Sequence, residues 1–340
     1  MAASNKKIIV VVGATGNQGS SVAHTFLNLP HWNVRATTRN PSSPAAQALA
    51  ARGAEVVPAD LEDVSSLSKA FEDAHAIFLN TDFWTTYKPL TAEVIADAAK
   101  IKGQPEPSET AFRTEVSHGK NAAQVAAKVL TLNRFVYSAL PPMKQLSGGK
   151  YFQSFHWESK AAIVEYIEND LPDLAKKTSF IYLGAYNTNP LLAPRLNPLD
   201  GKYQFVLPLT KDSRMPIIDP KESTGPFVRA LIEHEQPGTK LLAYDTDSYL
   251  TMQEIVEVWS RASGKEASLV EVTVEFMHQQ FGIPMEVLEA PAFIVESGYS
   301  GSMKVTEPSE LTTKVQTKSY EEWMKGRDWK AILEVDKPAF

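Results

Sequence analysis

Apolar residues along this chain fall into short unbroken runs, and the stretches between them carry helical spacing. Ile8–Val12 is five consecutive β-branched residues, and comparable runs recur at Val34–Thr38, Glu55–Pro58, Ala76–Leu79, Arg134–Ser138 and Ser179–Leu183. Between them the spacing predicts helices over Ser20–Leu29, Pro44–Arg52, Val64–Phe71, Thr91–Lys100, His118–Leu130 and Glu158–Asn169. Start signals stand at Asp63 or Ser65 for the third helix and at His118–Gly119 for the fifth, while Gly103, Pro105 and Pro107 mark Lys102–Ser108 as a loop. Strands without polar alternation are buried on both faces, and strands alternating with helices build a doubly wound parallel α/β sheet.

After Gly184 the rhythm changes. The proline-rich stretch 185–218 predicts an irregular insertion over the carboxyl edge of the sheet. A helix at Ser223–His234, a strand at Lys240–Ala243 and an amphipathic helix at Thr251–Ser263, stopped by Gly264, follow. A strand at Ser268–Val272 and helices at Val274–Phe281, Ser319–Lys325 and Trp329–Leu333 complete the reading. The expected organisation is a nucleotide-binding domain of residues 1–184, joined by 219–264, with 185–218 and 265–340 forming a smaller α+β lobe.

The first strand runs directly into Gly13, Thr15, Gly16, Asn17, Gln18 and Gly19. Closely spaced glycines between a strand and a helix turn the chain tightly and let backbone approach a dinucleotide pyrophosphate, which the helix N-terminus then binds. This makes the sheet Rossmann-type. An NAD site carries an acidic residue about 20 residues past the last glycine, for the ribose 2′-hydroxyl. Here Ala36–Asn40 contains no carboxylate and offers Arg39, whose donor fork suits a 2′-phosphate. NADP(H) is therefore expected over NAD(H), although Arg39 also reads as a solvated charge at a strand end. Asp60 is placed to accept from the adenine amino group or to cap a turn, with Leu61 beside it. Asn80 and Thr81 end the fourth strand at the same edge, bordering the ribose.

Composition narrows the classes. The chain has 340 residues, a net charge of −6 and no cysteine, which excludes disulfides, thiolate metal sites and cysteine nucleophiles. The acidic balance argues against a duplex-binding surface, so any role in gene regulation would run through a protein partner. Met1–Lys7 is polar and no run approaches a membrane span, so a cytoplasmic protein is expected, or a nuclear one if it is a regulator. Seven histidines include no pair at zinc-helix spacing, and no metal is expected. Gly298–Tyr299–Ser300–Gly301–Ser302 misses the last glycine of a nucleophile elbow.

Five motifs in order, GATGNQG at 13–19, TTRNP at 37–41, ADL at 59–61, LNTDFW at 79–84, and YSALPPMKQLSGGKY with HWESK across 137–160, resemble the NmrA-like family over residues 5–300. This is an atypical branch of the short-chain dehydrogenases. The resemblance implies NAD(P)(H) binding, a cleft closed by a carboxy-terminal lobe, and one of two roles: reductase of secondary metabolism, or nucleotide sensor acting through a protein partner such as a transcription factor.

Ordinary short-chain dehydrogenases place a tyrosine and a lysine four residues apart on one helix face, where the ammonium lowers the phenol pKa. None of the 11 tyrosines here has a lysine at that spacing. The matching segment is His156–Trp157–Glu158–Ser159–Lys160: the lysine is kept and the tyrosine is a histidine. By resemblance Lys160 holds the nicotinamide ribose hydroxyls. His156 either passes a proton or lines the cleft, and Ser138 either holds a substrate oxygen or is structural. Phe83, Trp84 and Tyr186 are candidates for an apolar substrate wall, with core packing as the alternative. An NAD(P)H-dependent reductase of a small carbonyl or enone is the leading expectation.

Overall fold

The structure, a computed structural model, describes residues 6–96 and 106–335. Strands β1 (Lys7–Val11), β2 (Trp32–Thr38), β3 (Glu55–Pro58), β4 (Ala76–Leu79), β5 (Arg134–Ala139) and β6 (Thr178–Leu183) alternate with helices. The helices are α1 (Asn17–Leu27), α2 (Pro44–Ala51), α3 (Val64–Phe71), α4 (Trp84–Ala96), α5 (Pro107–Ala127), α6 (Met143–Leu146), α7 (Phe155–Asp170) and α8 (Pro172–Ala175). Then follow β7 (Ala185–Tyr186), β8 (Arg195–Leu196), β9 (Tyr203–Leu207), β10 (Arg214–Ile218), α9 (Thr224–Glu233) and β11 (Lys240–Ala243). The chain ends with β12 (Tyr249–Thr251), α10 (Met252–Ser263), β13 (Ala267–Glu271), α11 (Val274–Phe281), α12 (Met285–Ser297), α13 (Tyr320–Lys325) and α14 (Trp329–Val335).

The main sheet has seven parallel strands in the order β11-β6-β5-β4-β1-β2-β3, the doubly wound Rossmann arrangement with β11 added at one edge. Successive side chains of each strand face opposite ways, so both faces carry core. Val10, Ile77, Phe135 and Tyr137 pack with Leu67, Phe71, Ala122 and Ile163 of α3, α5 and α7. Ile9, Val11, Phe78 and Val136 pack with Val22, Phe26, Phe227 and Leu231 of α1 and α9. No helix among the described residues is long and apolar enough to cross a membrane.

Three sequence expectations need correction. The stretch 185–218 is not irregular: it holds β7 to β10, which join β12 and β13 in two three-stranded sheets, β12-β10-β7 and β13-β9-β8. Most of its prolines fall between strands, and Pro216 sits inside β10 opposite Tyr249; in β9, Tyr203, Phe205 and Leu207 are buried in strict alternation. Helix α5 begins at Pro107, not His118, because proline at the first helical position costs no hydrogen bond. Gly119 lies mid-helix, where a Cβ would come within 2.4 Å of Ile163 Cδ1, so it is a close-packing residue between α5 and α7. Finally, α4 begins at Trp84, because the Asp82 carboxylate accepts from the N–H groups of Trp84 (2.9 Å) and Thr85 (3.3 Å). The expected helix end at Lys100, and the start of the loop at Lys102, lie outside the described residues. Helix α12, which the sequence reading leaves out, carries Pro291 in its interior.

Candidate active site

The glycine turn is a cradle of bare backbone. Gly13 adopts φ +73°, a conformation that L side chains resist, and its carbonyl accepts the Gly16 N–H at 3.0 Å. Gly16 caps α1 with no side-chain hydrogen bond, and the first turn holds no acidic residue, so the leading N–H groups of Asn17, Gln18 and Gly19 keep the positive helix end open to an anion. A Cβ on Gly19 would lie 2.2 Å from the Gly13 carbonyl oxygen. Gly13 also faces the end of β4, since its own Cβ would stand 3.8 Å from the Asn80 carbonyl. These features fit a dinucleotide pyrophosphate. Thr15 is exposed on the turn, whereas Gln18 is buried and donates from Nε2 to the Tyr186 hydroxyl at 2.7 Å. That bond ties β7 to the start of α1, and Gln18 Oε1 stays buried with no partner among the described residues.

Arg39 is exposed at the end of β2 and makes no side-chain hydrogen bond or ion pair among the described residues. Asp60 Oδ1 accepts the Glu62 N–H at 3.0 Å, closing a turn, while the cap of α3 is Asp63, which accepts from Ser65 at 2.9 Å and Ser66 at 3.2 Å. The Leu61 carbonyl accepts from Asn121 Nδ2 on α5 at 2.9 Å. Along this rim β2, β3 and β4 all end beside the turn.

Helix α7 brings the expected reactive residues to the same edge, four positions apart and hence on one face. The Lys160 ammonium donates to the Thr81 carbonyl (3.0 Å), Thr81 Oγ1 (3.2 Å) and Glu115 Oε1 (2.9 Å). Glu115, on α5, is fully buried and also accepts from Thr81 Oγ1 at 2.7 Å and from the Ser159 hydroxyl. A carboxylate this deep needs both a counter-charge and a filled set of donors, and it has them. The Tyr137 hydroxyl touches Thr81 Oγ1 at 3.2 Å. Burial, then the Glu115 charge, pushes its phenol well above its ordinary value, opposite to what a proton-passing tyrosine needs.

His156, one turn earlier, is held from the far end of the chain. Its Nδ1 lies 2.6 Å from Glu286 Oε1, and the same carboxylate accepts the backbone N–H groups of His156 (2.9 Å) and Phe155 (3.1 Å). Glu286, on α12, thereby caps α7. Glu289 accepts from the Gln153 N–H at 2.5 Å, extending the clasp. The His156 ring stands 4.9 Å from the Trp84 ring and 6.0 Å from that of Phe83. Phe83 is core, stacked on Tyr87 at 5.3 Å, whereas Trp84 is half-buried between that cluster and the His156 ring. Ser138 is buried near the end of β5 and makes no side-chain hydrogen bond among the described residues.

Sequence reasoning missed Glu115, Glu286 and Asn187. Glu115 had a signal: it interrupts a helical stripe of small buried residues, Ala111, Gly119, Ala122 and Ala126, where a lone acid needs a cation. Asn187, just past β7, is buried with neither side-chain polar atom partnered, which nothing in its local sequence announces. No group of three metal-ligating side chains occurs among the described residues.

Comparison with known proteins agrees with this geometry. A model of the NmrA-like family matches residues 5–329. An NmrA-like family domain-containing oxidoreductase, hkm9 of Aspergillus hancockii, is 28% identical over 318 residues, covering 90% of this chain and 88% of that protein. The solved structure of Nmra, a negative transcriptional regulator, in complex with NAD superposes with a TM-score of 0.70 at 22% identity, covering 98% of each chain. Its complex with NADP gives a TM-score of 0.66 at 22% identity, covering 96% of this chain and 99% of that one. With the motifs in order and the match nearly end to end, the chain belongs to the NmrA-like family.

Proposed function

We propose that this protein is an NADP(H)-dependent reductase of a small carbonyl or enone compound. The observation that carries the reading is the meeting, at one sheet edge, of the open α1 N-terminus with Lys160, which α7 delivers to Thr81 at the end of β4. The backbone of Gly13–Gly19 would hold the pyrophosphate, Arg39 the 2′-phosphate, and Asp60, Leu61, Asn80 and Thr81 the adenosine and ribose rim. A reduced nicotinamide bound there supplies a hydride. Lys160 orients the ribose by exchanging one of its acceptors, Glu115 holds the ammonium in place, and His156 supplies the proton from the same helix face. Trp84 and Tyr186 wall an apolar substrate side, and Ser138 offers a hydroxyl at the end of β5. Residues 185–218 and 265–340 would form the lobe that closes over this edge, with the Glu286–Glu289 clasp as its hinge to the sheet. The oxidoreductase hkm9 supports the same reading.

One observation favours a second reading, a nucleotide sensor that acts through a protein partner. All three Lys160 donors are already taken by protein acceptors. The regulator Nmra, which binds NAD and NADP, shares the fold.

The two separate on one experiment. The purified protein is titrated with NADPH and NADH, then screened for NADPH oxidation against carbonyl and enone compounds. Turnover that Lys160→Ala abolishes supports the reductase assignment; a roughly tenfold loss of NADPH affinity, about one charge-assisted hydrogen bond, places Lys160 on the nucleotide under either reading. Tight NADPH binding with no turnover of any compound turns the assignment to the sensor.

A further inference from the structure

We infer that Glu286 is the positioning residue of the site: it sets which nitrogen of His156 carries the permanent proton, and so makes Nε2 the atom that exchanges a proton with substrate. The inference rests on the reductase reading and adds to it a residue 130 positions away from the histidine.

An ionised carboxylate only accepts hydrogen bonds, so a ring nitrogen 2.6 Å from Glu286 Oε1 must be the donor. That nitrogen is Nδ1. Both Glu286 oxygens also take backbone N–H groups, from His156 and Phe155, and Ser154 Oγ donates to the Glu286 carbonyl at 3.0 Å. The carboxylate therefore cannot turn away, and the side chain is 3% exposed. Nε2 has no partner among the described residues and sits on a ring flanked by Trp84 and Phe83. Among the described residues the charged group that touches the ring is Glu286 from α12, Lys160 lies one turn along α7, and Trp84 of α4 and Phe83 just before it contribute aromatic rings.

Fixing one imidazole nitrogen with a carboxylate leaves the other a defined role, acceptor when the ring is neutral and donor when it is charged. In reduction, the substrate carbonyl carbon gains the hydride as its C=O π bond breaks, and the oxygen takes the proton from Nε2. The ring is left neutral with Nδ1–H still on Glu286, and solvent water returns the proton. Nothing in the step needs a tyrosine. The arrangement also explains how the position can tolerate histidine: the orientation that a phenol gets from a lysine comes here from α12.

The test reads the tautomer directly. In the nucleotide-free protein, with histidine nitrogens labelled and the solution alkaline enough to leave imidazoles neutral, nitrogen NMR should show His156 protonated at Nδ1. Protonation at Nε2 overturns the inference, and no variant has to fold for that result. Glu286→Gln keeps an acceptor oxygen and removes the charge. It should lower kcat by about 100-fold, the usual scale of one acid–base group, with NADPH affinity within about twofold of wild type. An unchanged kcat overturns the catalytic use of the pair. If wild type oxidises NADPH with no compound, the reductase reading fails by itself, and the tautomer still decides whether Glu286 governs the ring.

Discussion

The two sides of the candidate site are built from opposite materials. The nucleotide side is backbone: three glycines, an uncapped helix end and no charged side chain in the turn. The α7 side is buried charge: Glu115 fully buried against Lys160, and Glu286 at 3% exposure against His156. The first is defined by atoms that are absent and is broken by adding one. The second is defined by paired charges and is broken by taking one away. The glycine turn carries no titratable side chain of its own. A charge-paired site depends on every helix that contributes a partner.

The largest effect is expected at the charge wall. Glu115→Ala leaves the Lys160 ammonium half-buried without its counter-charge, and should cost about 3–5 kcal/mol of unfolding free energy by denaturant titration. The double variant with Lys160→Ala should recover part of that loss. A single-variant loss below about 1 kcal/mol, as for a surface pair, would erase the contrast between the walls. At the backbone wall, Gly19→Ala pushes a methyl into the Gly13 carbonyl, and an overpacking penalty of about 1–3 kcal/mol is expected. It should appear both in the melt and as lost NADPH affinity; full affinity would show that the turn has slack. The smallest effect falls at the rim. Arg39→Ala should weaken NADPH by about tenfold, the loss of roughly one charge-assisted contact, while NADH affinity stays the same. Equal losses for both nucleotides would remove Arg39 from the 2′-phosphate.

The same division decides what could be read from the chain. The cradle spans seven residues, and its strand, glycines and helix are adjacent in sequence, so local pattern was enough to expect it. The doubly wound parallel class followed from the alternation of apolar runs with helical spacing, while the order of the strands is set by pairings distant in sequence. Lys160 and His156 stood out because their spacing on one helix is local too. Their partners are not: Glu115 is 45 residues from Lys160 and Glu286 is 130 from His156, and only the stripe of small residues around Glu115 hints at burial before the fold supplies it. The strands of 185–218 were hidden for a related reason. Their pairing partners, β12 and β13, come later in the chain, and short strands punctuated by proline carry little periodicity of their own. The start of α5 was misplaced because Gly119 reads as a boundary in sequence, whereas its missing side chain serves the contact with Ile163.

The clasp on α7 also imposes an order of events on folding. The first N–H groups of that helix, from residues 153, 155 and 156, find their acceptors on Glu286 and Glu289. A chain emerging from the ribosome completes the glycine turn within its first few dozen residues. It cannot close the clasp until α12 has been made, and closing so long a loop carries an entropic cost that local contacts do not offset. A nascent or truncated chain ending before residue 285 would therefore own a nucleotide cradle long before it owned an oriented histidine. The reacting face is assembled last: a chain that stops short of α12 carries the glycine turn and His156 but lacks the carboxylate that orients the ring.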